Sequence, residues 1–266
     1  MNFIETSLFY FLVVLLSAAL ARMSENGKSK AGLVAAVVLL TAVGGLRSYA
    51  VGQDTLGYKE GIEYFYAYGT TMCNHTFSVP YGVFTSAVLH ICNNYSFLLV
   101  VESLITNAFF AFRLWDFRRT ASLSFAMFVY TATVFPLSMC LTCQMIAVSL
   151  VFYATRFLEQ NKPLLFCAWW AVGALLHASA LIGVLFLIYY LFSNKSKSRS
   201  QFAAKMLASV ALLFLAAYAG SKLVDRYARY SVNESSIGLM VFAQATVLAI
   251  AYFVSRETAN VAPVES

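Results

Sequence analysis

The chain has 266 residues, of which 61% are hydrophobic and 11% charged, with a formal net charge of +6 and a mean hydropathy of +0.73. Soluble domains carry about a quarter charged residues, so a soluble globular protein is excluded and the chain is a polytopic membrane protein. Every backbone donor and acceptor in hydrocarbon has to be satisfied within its own segment. Continuous apolar runs such as "FAMFVYTATVFPLSMCL" (125–141) are therefore helices and not the short alternating strands of a barrel. The expected fold is all-α: one integral-membrane domain over 1–266, with about nine transmembrane helices including one short helical hairpin.

In chain order, the first helix is expected at about 3–22 and the second at about 29–46, each long enough to cross a bilayer. The first has an apolar core followed by small residues, as a signal peptide has, but no basic region precedes it, and it is read as a mature helix. Arg22, Lys28 and Lys30 lie between the two helices. Short loops rich in Lys and Arg mark the cytoplasmic side. The N-terminus is then outside, and residues 47–80 form an outer-face loop. The same rule puts "RLWDFRR" (113–119), "RFLEQNK" (156–162) and the basic loop 193–202 inside. This positive charge lies in short loops and needs no nucleic acid to explain it.

Alternation requires spans at about 95–112, 120–139 and 141–155. From Pro163 to Phe192 the chain is apolar, yet both ends carry inside-type charge, which a single crossing does not satisfy. Two short helices meeting near His177 resolve this, and a broken helix at membrane depth is tolerated where it is buried in protein or lines a cavity. Spans at about 203–219 and 236–254, joined by an outer-face loop at 220–235, return the C-terminus to the cytoplasm.

Cys73, Cys92, Cys140, Cys143 and Cys167 are odd in number and suggest no disulfide framework. "CLTC" (140–143) has the spacing of a redox or metal pair but lacks further ligands and reads as helix packing; His75, His90 and His177 are too scattered for a metal site. No metal or cofactor is expected. "NHT" at Asn74 matches a glycosylation acceptor pattern that is short enough to arise by chance.

The stretch that breaks the apolar pattern is "GGLRSYAVGQDTLGYKEGIEYF" (44–65). An arginine ending an apolar helix can simply snorkel to the interface. Here it is flanked by glycines, which let a backbone approach a ligand closely, and followed by Asp54 and Tyr58. A guanidinium binds phosphate bidentately and a carboxylate accepts a proton from an attacking hydroxyl, so Arg47 and Asp54 together suit transfer of a phosphate-activated group. Asp54 paired with Lys59 in a solvated loop is the competing reading.

This stretch resembles the signature of the EpsG family of polytopic bacterial membrane proteins, on Arg47, Gly52, Asp54, Thr55, Tyr58 and Phe65. A second block, "CQMIAVSLVFYATRFLEQNKPLLFCAWWAVGALLHASALIGVLF" (143–186), resembles the family's RQ-x-x-A helix, short basic loop and H-x-SAL helix, on Gln144, Ala147, His177, Ser179, Ala180 and Leu181. The resemblance covers roughly residues 30 to 190. Cys143 stands where the family usually has Arg, and the chain is short for the family, which suggests that helices near the C-terminus are absent.

The resemblance implies a glycosyltransferase: a polymerase that joins oligosaccharide repeat units carried on undecaprenyl pyrophosphate into an O-antigen or exopolysaccharide, at the periplasmic face of the bacterial inner membrane. In that reading Arg47 binds the pyrophosphate and Asp54 acts as general base or orients the acceptor. Tyr58, Gln144 and His177 line the substrate site, and Arg226 and Arg229 supply a second phosphate contact. The implied partners are the lipid-linked oligosaccharides, the lipid bilayer and a chain-length regulator. His177 as polar glue between helices and Arg226 and Arg229 as interfacial anchors stay open at this point. So does a flippase or transporter of lipid-linked oligosaccharide, which would also show outer-face arginines and broken helices. A multi-span acyltransferase acting through His177 is a third reading.

Overall fold

A computed structural model describes residues 3–27, 29–52, 54–69 and 77–193. By internal contacts the chain divides into two units, Met1–Leu187 and Ile188–Ser266, and the description below concerns the first. The expected spans at 203–219 and 236–254 and the loops at 193–202 and 220–235 lie outside the described residues, apart from Ser193. Among the described residues all regular structure is helical.

Helix α1 (Phe3–Arg22) packs antiparallel to α2 (Ala31–Gly45) and to a long helix in three parts: α6 (Leu123–Val129), one π-helical stretch (Tyr130–Val134) and α7 (Phe135–Cys140). Ser17 Oγ lies 2.9 Å from Thr131 Oγ1, and Ser124 donates to the Ala18 carbonyl at 2.8 Å, so two polar pairs fix the register of an otherwise apolar seam. The π stretch precedes Pro136, which has no N–H to continue the ordinary ladder; instead the Phe135 N–H reaches the Tyr130 carbonyl, five residues back.

Helix α5 (Tyr95–Asp116) runs antiparallel to α2 and parallel to α8 (Thr142–Glu159), which in turn packs antiparallel to α9 (Pro163–Leu176). The α2–α5 approach is close because Gly44 and Gly45 face Ser103 and Val100: a Cβ on Gly45 would stand 2.5 Å from the Val100 Cα. In hydrocarbon there is no hydrophobic drive between helices, and close contact of small residues supplies the packing instead.

The chain breaks at His177, whose backbone is extended (φ −152°, ψ 134°). A 3₁₀ turn (Ala178–Gly183) then doubles back along α9: Ala180 packs on Gly173, Gly183 abuts Trp170, and Trp170 Nε1 donates to the Ala180 carbonyl at 2.7 Å. Helix α10 (Val184–Ser193) follows. The expected pair of short helices meeting near His177 is therefore present as α9 and the 3₁₀ turn leading to α10.

Helices α1, α5 and the α6–α7 helix are long and apolar enough to cross a membrane, while α2, α4, α9 and the segment Ala178–Leu191 are shorter apolar helices. The stretch 47–80, expected as a loop, contains α3 (Thr55–Tyr68) and the start of α4 (Val79–Ile91). Helix α3 forms because Thr55, Tyr58, Ile62 and Phe65 recur at helical spacing and turn one face inward. In α4 the Ser78 Oγ caps the first turn by accepting from the Tyr81 N–H, with Pro80 in that turn.

The two ends of the first unit differ in chemistry. One end gathers Arg22, Lys30, Arg113, Arg118, Arg119 and Arg156. Arg113 is 1% exposed, donates to Glu159 Oε1 at 2.5 Å and to Thr155 Oγ1 at 2.8 Å, and stacks 4.1 Å from the Phe117 ring. Ser122 donates to Glu25 at 2.5 Å, which joins the loop after α1 to the start of α6 and holds the Glu25 carboxyl below the usual carboxylate range. Three of the loops expected on the inside thus meet at one end. The Arg47 stretch lies at the other.

Gly45→Val should overpack the α2–α5 contact and lower stability by about 1–3 kcal/mol, read as a lower thermal midpoint of the detergent-solubilised protein. An unchanged midpoint would contradict the α2–α5 packing described here.

Candidate functional site

Arg47 follows α2 directly and folds its side chain back over the helix end. Its guanidinium donates to three carbonyls from three places in the chain: Gly44 in α2, Val51 in the following loop at 3.4 Å, and Met139 at the end of α7 at 3.0 Å. The last carbonyls of a helix have no intrahelical partner, and at the end of an apolar helix their desolvation is costly. Arg47 satisfies them with a charge. Thr55 assists, since its Oγ1 donates to Val51 at 2.8 Å and also lies 3.3 Å from the Met139 carbonyl. Gly52 has φ +94°, and a Cβ there would stand 2.2 Å from the Met139 carbonyl oxygen, so only glycine permits this wrap. Arg47 is thus a structural clamp, not a snorkelling side chain. Among the described residues, three of its five N–H groups are engaged.

Asp54 is exposed at the N-terminus of α3, and its side chain makes no capping bond. The competing partner Lys59 is taken: its Nζ lies 3.1 Å from Glu63 and 5.3 Å from the centre of the Tyr49 ring. Tyr58, one turn along α3, packs edge-on against Tyr81 with ring centroids 6.2 Å apart. Burial, then the neighbouring Cys143 thiol and Asp54, push the Tyr58 phenol above its ordinary value and keep it a neutral hydrogen-bonding group.

Beneath Tyr58 is a group that the sequence reading did not single out. Glu102, in α5, is 1% exposed and accepts a 2.5 Å hydrogen bond from the hydroxyl of Tyr81, itself 0% exposed. Arg47 is the cation whose field reaches this carboxylate. For Arg47 the larger effect is desolvation, which pulls it below its usual value, with Glu102 opposing; a guanidinium stays charged under both. A lone acid in the run "FLLVVESLITNAFF" (97–110) was the available signal, because an ionisable residue inside a membrane helix marks a functional position by default.

Gln144 and Cys143 occupy the first turn of α8. Cys143 is buried, electrostatically close to Glu102, and its thiol donates to the Leu176 carbonyl at 3.3 Å. The same carbonyl accepts from Ser78 Oγ at 2.7 Å, so the last residue of α9 is held by α8 and by the start of α4. This places the next residue, His177, at the same end as the Arg47 loop. The Ser179 N–H donates to His177 Nδ1 at 3.1 Å, and Ser179 Oγ lies 2.9 Å from it. A ring nitrogen that accepts a backbone N–H carries the lone pair, so the proton of the neutral imidazole sits on Nε2. Half-buried at the helix break, His177 offers that Nε2 proton as a donor.

Arg47, Asp54, Tyr58, Gln144 and His177 thus all lie toward one end of the described helices, with Tyr58 packed on Tyr81 and no direct hydrogen bond among Arg47, Asp54, Tyr58 and His177. Arg226 and Arg229 lie outside the described residues. The arrangement combines a fixed cation, an exposed carboxylate, a neutral phenol and an imidazole donor.

A family model described as the EpsG family matches residues 30–262, further along the chain than the roughly 30 to 190 covered by the two motif blocks. No curated protein and no solved structure matches the chain.

Tyr81→Phe should leave the buried Glu102 carboxyl without its donor and cost about 1–3 kcal/mol of stability. Glu102→Gln, whose amide oxygen still accepts from Tyr81, should cost less. Equal thermal midpoints for Tyr81→Phe and the parent protein would remove this hydrogen bond from the account.

Proposed function

The chain belongs to the EpsG family, and from that premise we propose that it is a polymerase of lipid-linked oligosaccharide repeat units at the outer face of a bacterial inner membrane. The observation that carries the reading is the Arg47 loop. A half-buried clamp on three carbonyls fixes a guanidinium, with two N–H groups unengaged among the described residues, seven residues before an exposed carboxylate at the start of α3. A polymerase of this kind has to stabilise a departing pyrophosphate and activate a sugar hydroxyl, and these are the two charges the loop presents.

In this reaction the terminal hydroxyl oxygen of one unit attacks the anomeric carbon of the chain on a second lipid. A new C–O bond forms, the bond from that carbon to the pyrophosphate oxygen breaks with its electron pair, and undecaprenyl pyrophosphate leaves. Asp54 accepts the hydroxyl proton. The free N–H groups of Arg47 bind the pyrophosphate oxygens as their charge grows. The Tyr58 hydroxyl, Gln144 and the Nε2–H of His177 hydrogen-bond sugar hydroxyls. Glu102 touches no substrate: it holds Tyr81, on which Tyr58 packs.

The clustering of the basic loops 22–30, 113–119 and 156–162 at the opposite end supports an outward-facing Arg47 stretch and an outside N-terminus. Flippases present internal repeats, and the sequence contains no repeat that would favour that alternative.

Asp54→Asn is the cleanest test, because the side chain is exposed and makes no capping bond in the fold. With membrane levels unchanged, polymer formation should fall by about 10²-fold or more, leaving lipid-linked single units in place of a ladder on gels. Arg47→Ala should do the same and also lower the thermal midpoint. A normal ladder in the Asp54 variant would sink the proposed base.

A further inference from the structure

Beside the Arg47 loop, on the far side of Tyr95, opens a cleft of about 370 Å³. Three tyrosine rings face it: Tyr49 from the loop after α2, Tyr66 from α3 and Tyr95 from the start of α5. Their positions are fixed by contacts behind them. Tyr49 and Tyr95 pack edge to face at 5.3 Å; the Tyr49 hydroxyl lies 3.3 Å from Ser96 Oγ, the Tyr95 hydroxyl donates to the Thr55 carbonyl at 3.4 Å, and Tyr66 packs on His90 at 4.9 Å.

The polar lining is as specific. Asn94 uses its Oδ1 to cap α5, accepting from the Ser96 N–H at 2.8 Å, which leaves its amide N–H groups to the cleft side. Asn93 beside it is exposed. Lys59 and Glu63 line the opposite wall as an ion pair at 3.1 Å.

This combination discriminates among ligands. The Lys59–Glu63 pair cancels, so the cleft has no net charge with which to hold a phosphate. An acyl chain would strip water from two amides and an ion pair without replacing their hydrogen bonds. A neutral pyranose satisfies both demands, because its axial C–H face lies on an aromatic ring and its hydroxyls serve amide donors and a carboxylate acceptor together. We propose that this cleft is a saccharide subsite, binding a neutral pyranose through Tyr49, Tyr66, Asn93 and the Lys59–Glu63 pair. Tyr49 is two residues from Arg47, so a sugar held here stands next to the phosphate-binding loop. The identity of the natural sugar donor or acceptor rests on the polymerase reading; the sugar chemistry of the cleft does not.

Saturation-transfer NMR on the full chain in lipid nanodiscs tests it, with methyl glucoside, methyl galactoside, N-acetylglucosamine and rhamnose as probes. At least one pyranose should receive saturation, strongest on the protons of one ring face. Tyr66→Ala and the exposed-site variant Asn93→Ala should each weaken binding about tenfold, whereas Tyr66→Phe, which keeps the ring, should retain it. Absence of transfer to every probe, or transfer unchanged in both alanine variants, overturns the subsite. A normal ladder from Asp54→Asn would sink the polymerase reading and leave the cleft standing, whereas a silent sugar titration with the wild-type protein would sink the cleft and leave the ladder result untouched.

Discussion

The Met139 carbonyl and the arginine that reaches it organise the functional end of this protein. Where α2 and α7 finish, their last carbonyls face an apolar surround with no water to receive them. Arg47 answers by bending back and donating to Gly44, Val51 and Met139 together, and the Thr55 hydroxyl adds a donor to Val51 beside the Met139 carbonyl. One side chain thereby ties two helix ends to the loop that carries Gly52 and Asp54, and sets where α3 begins. Gly52 can occupy its place only because it has no Cβ. The charge that serves packing is also the charge assigned to the pyrophosphate in the proposed function.

The interior follows the same rule on a smaller scale. Ser17 meets Thr131, Tyr130 donates to Asn107 at 2.7 Å while Asn107 donates to the Ser103 carbonyl at 2.7 Å, and Tyr81 donates to Glu102. Each of these polar groups has a partner on its own helix or across a seam, as a medium without water demands, whereas the Thr41 and Ser86 hydroxyls are buried without one among the described residues. The Arg113, Asp116, Arg156 and Glu159 charges form a network at the other end. The two ends therefore differ: one pairs Arg113 and Arg156 with acidic residues, and the other carries Arg47, Asp54 and His177, the groups of the proposed site.

Much of this was legible in residues. The first helix runs from Phe3 to Arg22 as its apolar pattern predicts, and the charge conflict around 163–192 locates the break at His177 from residues alone. What stayed hidden has physical causes. Charges and glycines in 47–68 gave the look of a loop, while the inward positions Thr55, Tyr58, Ile62 and Phe65 carried the weaker helical signal that prevailed through packing. Glu102 was overlooked among the hydrophobic residues around it, although its isolation there was the clue. The cleft has no linear signature, since its rings come from a loop and two helices. Cys143, where the family resemblance leads one to expect an arginine, is buried and donates to the Leu176 carbonyl instead.

The central claim is that this outer-end site joins units already delivered across the membrane. The most direct measurement is the leaflet distribution of lipid-linked single repeat units in cells lacking the chain, read by accessibility to a membrane-impermeant glycosidase or lectin. A polymerase predicts accumulation of single units exposed on the periplasmic leaflet. Accumulation confined to the cytoplasmic leaflet would contradict the account and assign the chain to transport instead.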